Sequence, residues 1–304
     1  MRKSKIIFIG TSNIIHHHIL AAKQTGLDLY GICSTRKKSS KITKLKKKYK
    51  FKKTYDDVEA ALKDARKQKD IHIVIAVRIQ DNFKVLKKCL ENNTKAKILT
   101  EKPISCEHEK INKIIDYDNR IFVGYNRIYY RTIKFLKEKL KNKKNLNILV
   151  GCPEQNKENI FTNSCHIFSI LFNCFGELKL ILKSENTSSI NCLLKDKKGN
   201  NFYINFNFKA SENFSIQVHD RKYNYLLKPI EKLTVFKGME KKKINNQTLY
   251  TPTKKRVLLE SYDKKPGFVE QYKNFKKFIE NKKCLKLPLR DAYKIIKIIS
   301  SICN

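Results

Sequence analysis

The chain has 304 residues, and its 66 Lys or Arg against 28 Asp or Glu give a formal net charge of +38 at pH 7. This length predicts two domains, each large enough to bury a hydrophobic core of its own. A hydrophobic content of 41% excludes a disordered polycation, and only nine glycines and six prolines exclude a collagen-like or Pro/Gly-rich low-complexity chain.

The positive charge suggests nucleic-acid binding, but the kind of charge argues against specific recognition. Only ten of the 66 basic residues are arginine, the residue whose planar fork binds phosphates and guanine edges in a bidentate manner. The lysines are dispersed between apolar positions rather than gathered in one segment. We interpret them as a solvated surface, with a basic nucleic-acid-binding protein as the less favoured alternative.

Neither a membrane protein nor a disulfide-rich secreted protein is predicted. No run approaches 18 consecutive apolar residues, and the first ten residues turn polar too soon for a signal peptide. The nine cysteines are odd in number and include no Cys-x-x-Cys pair. We therefore expect reduced packing thiols in a cytoplasmic protein, with no metal site.

Strands and helices are predicted to alternate over the first 120 residues, which is typical of a parallel sheet with right-handed crossovers. The predicted strands are Ile6–Ile9, Leu27–Cys33, Ile71–Val77, Ala96–Thr100 and Ile121–Gly124. The predicted helices are Asn13–Gln24, Tyr55–Ala65, Asn82–Asn92 and Glu107–Asp116, the last capped by Ser105. His16, His17 and His18 fall on the surface and core edge of the first helix, about 100° apart in projection, so they cannot converge on one metal.

The pattern changes after about residue 125, where alternating apolar and polar residues predict a mostly antiparallel sheet. In Asn201–Phe208, four apolar side chains point one way and three polar or mixed ones the other. The predicted strands are Leu146–Cys152, Ser189–Leu194, Asn201–Phe208, Phe214–His219, Tyr223–Leu227 and Leu233–Phe236. The predicted helices are Arg131–Leu140, Phe161–Phe175, Phe268–Glu280 and Leu289–Ile302.

A first candidate site is the turn between the first strand and the first helix. A loop that binds a dinucleotide needs a tight turn, a close backbone approach to the pyrophosphate and a helix N-terminus aimed at it. Gly10 provides the turn, while Ser12 and Ile15 stand where the second and third glycines of such loops fall. The predicted cofactor-binding residues of this loop are Gly10, Thr11, Ser12, Asn13 and Ile14.

The end of the second strand indicates which dinucleotide is preferred. In Rossmann folds, the residue about 20 positions after the glycine loop contacts the adenosine ribose, and an acid there selects NAD. This chain has no acid at that place but has Ser34, Arg36 and Lys37, which offer donors to a 2′-phosphate. We therefore predict that NADP is favoured over NAD, with Ser34 and Arg36 as binding residues.

A second candidate is Glu101-Lys102-Pro103 at the end of a predicted parallel strand, where ligands bind in such sheets. A lysine there can act in acid/base chemistry or orient a hydroxyl group. Asn126 and Arg127 follow the next strand near the predicted domain junction, so we expect them to contact the substrate or the cofactor.

Together these features resemble the Gfo/Idh/MocA family of NAD(P)-dependent oxidoreductases. The resemblance rests on the Gly10 loop, on Glu101-Lys102-Pro103, on Gly124-Tyr125-Asn126-Arg127 and on a buried helix that carries His166. It implies an α/β chain with a Rossmann-type parallel sheet in residues 1–122 and a C-terminal α+β domain with a large, mostly antiparallel sheet in residues 123–304. The second domain would bind the substrate, a sugar, sugar nucleotide or cyclitol, and form a homo-oligomer.

The resemblance also implies roles for single residues. Lys102 matches the lysine that contacts the substrate hydroxyl, with Glu101 beside it at the cofactor, and His166 matches the histidine that transfers a proton. Family members often have an acid four residues before or three residues after that histidine. This chain has Thr162, which we retain as a substrate contact, and Ser169. Without a carboxylate to orient the imidazole, a non-catalytic coenzyme- or sugar-binding relative is the second hypothesis.

Overall fold

The structure is a computed structural model that describes residues 4–36, 40–92, 95–245 and 247–304. Its residues group into two compact units. The first contains residues up to Asn126 together with Asp263–Ile296, and the second contains Arg127–Tyr262 together with Lys297–Asn304. One sheet is parallel and the other mostly antiparallel, so the predicted fold class is confirmed.

The first unit is built on a six-stranded parallel sheet in the order β3-β2-β1-β4-β5-β6. The two central strands, β1 and β4, are apolar along most of their length and buried on both faces, as expected for a sheet covered by helices on each side. The strands are β1 (Lys5–Ile9), β2 (Asp28–Cys33), β3 (Lys53–Tyr55), β4 (Ile71–Ile75), β5 (Ile98–Thr100) and β6 (Ile121–Val123).

Among the described residues, five α-helices connect these strands: α1 (Ile15–Gln24), α2 (Ser40–Tyr49), α3 (Val58–Lys67), α4 (Ile79–Glu91) and α5 (His108–Asn112). Helix α3 is capped by Asp57, whose carboxylate accepts the Ala60 N–H at 2.8 Å. Helix α5 is shorter than predicted and Ser105 does not cap it. The Ser105 hydroxyl instead accepts the Glu107 N–H, which closes the turn before the helix.

The second unit contains an eight-stranded sheet in the order β14-β13-β12-β11-β7-β10-β9-β8. All neighbours are antiparallel except β7 and β10. The strands are β7 (Asn147–Glu154), β8 (Leu178–Glu185), β9 (Ser189–Asp196), β10 (Asn201–Phe208), β11 (Ser215–His219), β12 (Asn224–Leu227), β13 (Lys232–Ile244) and β14 (Gln247–Leu259). Helices α6 (Arg131–Leu140) and α7 (Cys165–Phe175) complete the core of this unit.

The inner face of this sheet follows the alternation read from the sequence. Phe202, Ile204 and Phe206 of β10 are buried, and the Phe206 ring stacks on Phe168 of α7 at a centroid distance of 6.4 Å. Three features differ from prediction, and one of them is β8 (Leu178–Glu185), where no strand was predicted. The predicted helix over Phe161–Phe175 begins with a π-helical turn over Ile160–Ser164. Strand β13 continues to Ile244 and pairs with β14, which was not predicted.

Two C-terminal helices end the chain, α8 (Phe268–Ile279) and α9 (Leu289–Cys303). Helix α8 belongs to the first unit and packs against α1. Within the described ranges, no helix is both long and apolar enough to cross a membrane.

Candidate functional site

The candidate site of the first unit lies at the carboxyl edge of its parallel sheet. Ser34 follows β2, Gly10 follows β1, Glu101 follows β5 and Gly124 follows β6, and these strands lie side by side with only β4 between β1 and β5. Ligands of open parallel sheets bind outside this edge. The structure therefore brings the predicted residues of the first unit to one edge.

Gly10 makes a turn that no other residue can make. Its φ is +128°, and a Cβ built on it would lie 2.1 Å from the Ala76 carbonyl oxygen at the end of β4. The Gly10 N–H donates to Cys33 O at 2.9 Å, and the Ser12 hydroxyl donates to Ala76 O at 3.1 Å. These two hydrogen bonds connect the loop to the ends of β2 and β4.

The loop offers the groups that a pyrophosphate needs. The N–H groups of residues 11–14 donate to no other residue in the described part of the chain, and they precede the first turn of the ten-residue helix α1. The positive end of the helix dipole favours an anion at this point. Ile15, which replaces the third glycine, is fully buried at the start of α1. The residues present therefore fit a dinucleotide, although the loop has one glycine.

Two of the predicted cofactor residues lie at the end of β2: Ser34 forms part of the backbone turn, and Arg36 is exposed. Ser34 is buried, and its hydroxyl oxygen accepts the Arg36 N–H at 3.0 Å, so Ser34 shapes the turn. The Arg36 side chain is exposed at the same strand end. Lys37, the third residue of this prediction, lies outside the described residues.

Asn82 fixes the turn that carries Lys102. Its side-chain N–H groups donate to the carbonyls of Glu101 (2.7 Å) and Pro103 (2.9 Å), and its oxygen accepts from the Thr100 hydroxyl at 2.9 Å. Asn82 is 1% exposed, and the Lys102–Pro103 peptide bond is cis. Sequence reasoning missed Asn82, because an asparagine in the first turn of an amphipathic helix carries no distinctive signal.

His18 is fully buried and binds the Glu101 carboxylate, although it was predicted with its neighbours at the helix surface and core edge. His18 Nε2 lies 2.8 Å from Glu101 Oε1, and Nδ1 lies 3.0 Å from the hydroxyl of Tyr272 on α8. Burial raises the pKa of Glu101, but the hydrogen bond from His18 and the charges of His18, Lys102 and Lys265 outweigh it, so the pKa is lowered overall. The carboxylate therefore stays ionised.

Asn126 and Arg127 are adjacent in sequence but have different partners. Asn126 in the first unit is buried, and its side-chain N–H donates to Pro266 O at 3.1 Å. Arg127 in the second unit stacks its guanidinium 5.7 Å above the Phe214 ring. A structural role is visible for each of them.

His166 is the second residue of α7, directly after the π-helical turn. Buried Glu154 at the end of β7 secures that turn, because its two oxygens accept from Asn163 Nδ2 at 3.0 Å and from the Ser164 hydroxyl at 2.5 Å. Such turns occur often at functional sites. A carboxylate from a neighbouring strand thus orders the residues just before His166.

Thr162 and Ser169 use their hydroxyls on backbone carbonyls three residues earlier. Thr162 donates to Asn159 O at 3.2 Å, and Ser169 donates to His166 O at 2.7 Å. Neither can replace the negative charge of an acid beside the imidazole. Within the described ranges no group of three or more His, Cys, Asp or Glu is arranged to hold a metal ion.

Comparison with known proteins agrees with this geometry. Residues 4–125 match the family model of Gfo/Idh/MocA oxidoreductases, described as having an NAD-binding Rossmann fold. The resemblance inferred from the sequence is confirmed by this match, which covers the part of the first unit that contains the parallel sheet. A search of curated proteins finds no match.

Solved structures match the fold over the whole chain at low sequence identity. A dehydrogenase from Clostridium difficile is 14% identical, with 99% of each chain covered and a TM-score of 0.77. A variant 3-ketoreductase from Actinomadura kijaniata, solved with TDP-benzene and NADP, is 8% identical (99% and 97% covered, TM-score 0.72). Myo-inositol dehydrogenase from Lactobacillus casei, solved with NAD(H) and myo-inositol, is 16% identical (99% and 93% covered, TM-score 0.70).

Proposed function

We propose that the protein is an NAD(P)-dependent oxidoreductase that interconverts a hydroxyl and a ketone on a sugar, sugar nucleotide or cyclitol. The observation that carries this proposal is the placement of Lys102 at the same sheet edge as the Gly10 loop, with β4 alone between their strands. The neighbours solved with TDP-benzene and with myo-inositol support the substrate class. The nine cysteines are odd in number and include no Cys-x-x-Cys pair, which supports a reducing, cytoplasmic setting.

Each predicted catalytic residue has one chemical task. Bound nicotinamide supplies or accepts the hydride at its C4 atom. The Lys102 ammonium would donate a hydrogen bond to the reacting oxygen of the substrate and stabilise negative charge that develops there. His166 would take the proton from that oxygen during oxidation and return it during reduction. Both residues would act by orienting the substrate and by electrostatic stabilisation. The α+β unit would be the substrate-binding and oligomerisation domain.

We further propose that NADP is preferred over NAD. Arg36 is exposed beside the end of β2, and no acid is present there to accept from a ribose 2′-hydroxyl. An arginine guanidinium binds a phosphate more strongly than a neutral donor does, because the hydrogen bond is charge-assisted. One solved neighbour contains NADP and another NAD(H), so the fold accommodates either cofactor.

A homo-oligomer is supported by the outer face of the eight-stranded sheet. The strand register aligns one side chain from each of six adjacent strands into a stripe, and four of these six are leucine. The stripe consists of Leu182, Leu193, Tyr203, Leu149, Gln217 and Leu226. It lines a shallow depression of about 560 Å³, and Leu182 is 64% exposed. Such a contiguous apolar face is typical of an interface.

The oligomer proposal is tested by light scattering on the purified protein and on Leu149→Lys. We expect a dimer or larger species for the wild type and a monomer for the variant. Leu20→Lys is the matched control, because Leu20 is 45% exposed and Leu149 43%, but Leu20 lies outside the stripe. A monomeric wild type, or equal dissociation in both variants, would overturn the proposal.

The enzymatic proposal is tested by following nicotinamide absorbance with both cofactors against a panel of sugars, sugar nucleotides and cyclitols. We expect turnover of at least one compound, with Lys102→Met and His166→Asn each lowering kcat by a factor of about 100 or more. Lys113→Met, at an exposed lysine of the same unit, is the control for loss of a lysine. No turnover of any compound, with the cofactor nevertheless bound, would favour the non-catalytic relative suggested by Thr162 and Ser169.

A further inference from the structure

The buried ring of His18 links three elements of the first unit. It projects from α1, the helix that begins at the candidate dinucleotide loop. One nitrogen contacts Glu101 after β5 and the other contacts Tyr272 on α8. The ring also packs edge-on against Phe268, with centroids 5.1 Å apart. None of these contacts is required by the chemistry assigned to Lys102 or His166.

The contacts also determine which nitrogen of the ring carries a hydrogen. An ionised carboxylate only accepts, so His18 Nε2 must donate to Glu101. The Tyr272 hydroxyl can donate to Nδ1 or accept from it, so this second bond is satisfied whether or not the ring is charged. The Nε2 bond is therefore the one in which the donor and the acceptor cannot be exchanged.

Residue 101 is held at three places. Its N–H donates to Ile75 O at 3.0 Å, its carbonyl accepts from Asn82, and its carboxylate accepts from His18. The first two bonds fix the backbone to β4 and α4. Only the third connects it to the helix at the dinucleotide loop. Because Lys102 is the next residue, the direction in which Lys102 extends from the end of β5 depends on these three hydrogen bonds.

We propose that His18 is a positioning residue that, through Glu101, aligns Lys102 with the dinucleotide loop at the start of α1. The inference rests on the proposed function for its catalytic consequence, but the positioning itself is a property of the protein alone. His18 touches neither the substrate nor the cofactor in this role.

Two substitutions distinguish the roles of the two ring nitrogens. In His18→Gln the side-chain nitrogen reaches the place of Nε2 and keeps the donor to Glu101, whereas in His18→Asn it reaches the place of Nδ1 and loses that donor. Each variant loses one of the two hydrogen bonds, and His18→Asn should lower the melting temperature more, because the bond it loses is the one to a charged group. His17→Gln, on the same helix but half-buried, is the control.

The measurement is competitive acetylation of the intact protein with acetic anhydride, with mass spectrometry comparing Lys102 with exposed Lys179. We expect Lys102 in wild type, His17→Gln and His18→Gln to react at equal rates. In His18→Asn it should react faster by a factor of about 3 or more, because the turn gains freedom. With a substrate from the panel, His18→Asn should lower kcat about tenfold and leave the cofactor KM within about twofold.

Equal acetylation of Lys102 in His18→Asn and His18→Gln would overturn the proposal, since it would reduce His18 to a packing residue. A kcat loss of the same size in both variants would overturn it as well. If the wild type binds no dinucleotide, the proposed function fails, but the acetylation comparison still decides whether His18 positions Lys102.

Discussion

Replacing Gly10 by alanine is a direct probe of the candidate dinucleotide loop. The new Cβ would lie 2.1 Å from the Ala76 carbonyl oxygen, 0.9 Å inside the 3.0 Å that real Cβ atoms essentially never pass. The obstructing atom is backbone at the end of a central strand, so the loop must move instead. The φ of +128° adds strain that an L-residue cannot relieve in place.

The expected cost follows from these two effects. Overpacking costs about 1–3 kcal/mol and a left-handed conformation about 1–2 kcal/mol, so we expect Gly10→Ala to lose about 3 kcal/mol of unfolding free energy. Loop displacement should also weaken NADPH binding by a factor of about 10 or more, which corresponds to about 1.4 kcal/mol. Thermal unfolding and fluorescence titration with NADPH measure the two quantities separately.

Gly238→Ala is the matched control for this experiment. Gly238 has a φ of +69°, but a Cβ there has no atom within 4 Å, so the substitution carries strain without a clash. We expect it to cost about 1 kcal/mol and to leave NADPH binding unchanged. If Gly10→Ala bound NADPH as well as Gly238→Ala does, the loop would not be the binding site and the reasoning would be refuted.

Three further outcomes are expected. Arg36→Ala should weaken NADPH binding about tenfold and NADH binding by less than about twofold in fluorescence titrations, and equal losses would contradict a 2′-phosphate contact. Asn82→Ala should lower the unfolding free energy in urea by about 2–4 kcal/mol, because it leaves the carbonyls of Glu101 and Pro103 and the Thr100 hydroxyl without their partner. A loss below about 1 kcal/mol would argue against that role. Burial lowers the pKa of His72 from 6.5 to about 4, so the unfolded chain binds this proton first as the pH falls. The stability that neutral His72 contributes is therefore complete above about pH 6.5 and is lost as the pH falls towards about 4. The loss of unfolding free energy should be about 3 kcal/mol at most, and unfolding curves of His72→Gln should lack this pH dependence.

The sequence carries enough information to predict the parallel sheet and the residues at its edge. Gly10 is found because it directly follows the apolar run Ile6–Ile9, and Lys102 because it lies in Glu101-Lys102-Pro103 after a short predicted strand. Both patterns depend on neighbouring residues alone. The inner face of β10 is found for the same reason, since its phenylalanines alternate with polar residues. Features of this kind are local in sequence, and the structure reproduces them.

The features that were not predicted depend on distant residues or on weak patterns. His18 is one of three consecutive histidines, and its partners lie 83 and 254 positions away, so nothing nearby marks it as buried. Asn82 acts through backbone carbonyls of a turn 19 and 21 positions away, which no side-chain pattern records. Strand β14 shows no alternation of apolar and polar residues, because both faces of its hairpin are largely exposed.

The most direct test of the central claim is to follow a deuterium label from C4 of the nicotinamide. Reduced cofactor deuterated at C4 would be incubated with the protein and with a ketone from the sugar or cyclitol panel, and the product analysed by mass spectrometry. The expected result is transfer of one deuterium to the carbinol carbon of the product, with far less product from Lys102→Met. Product formation without deuterium, or cofactor oxidation without a reduced sugar, would contradict the assignment.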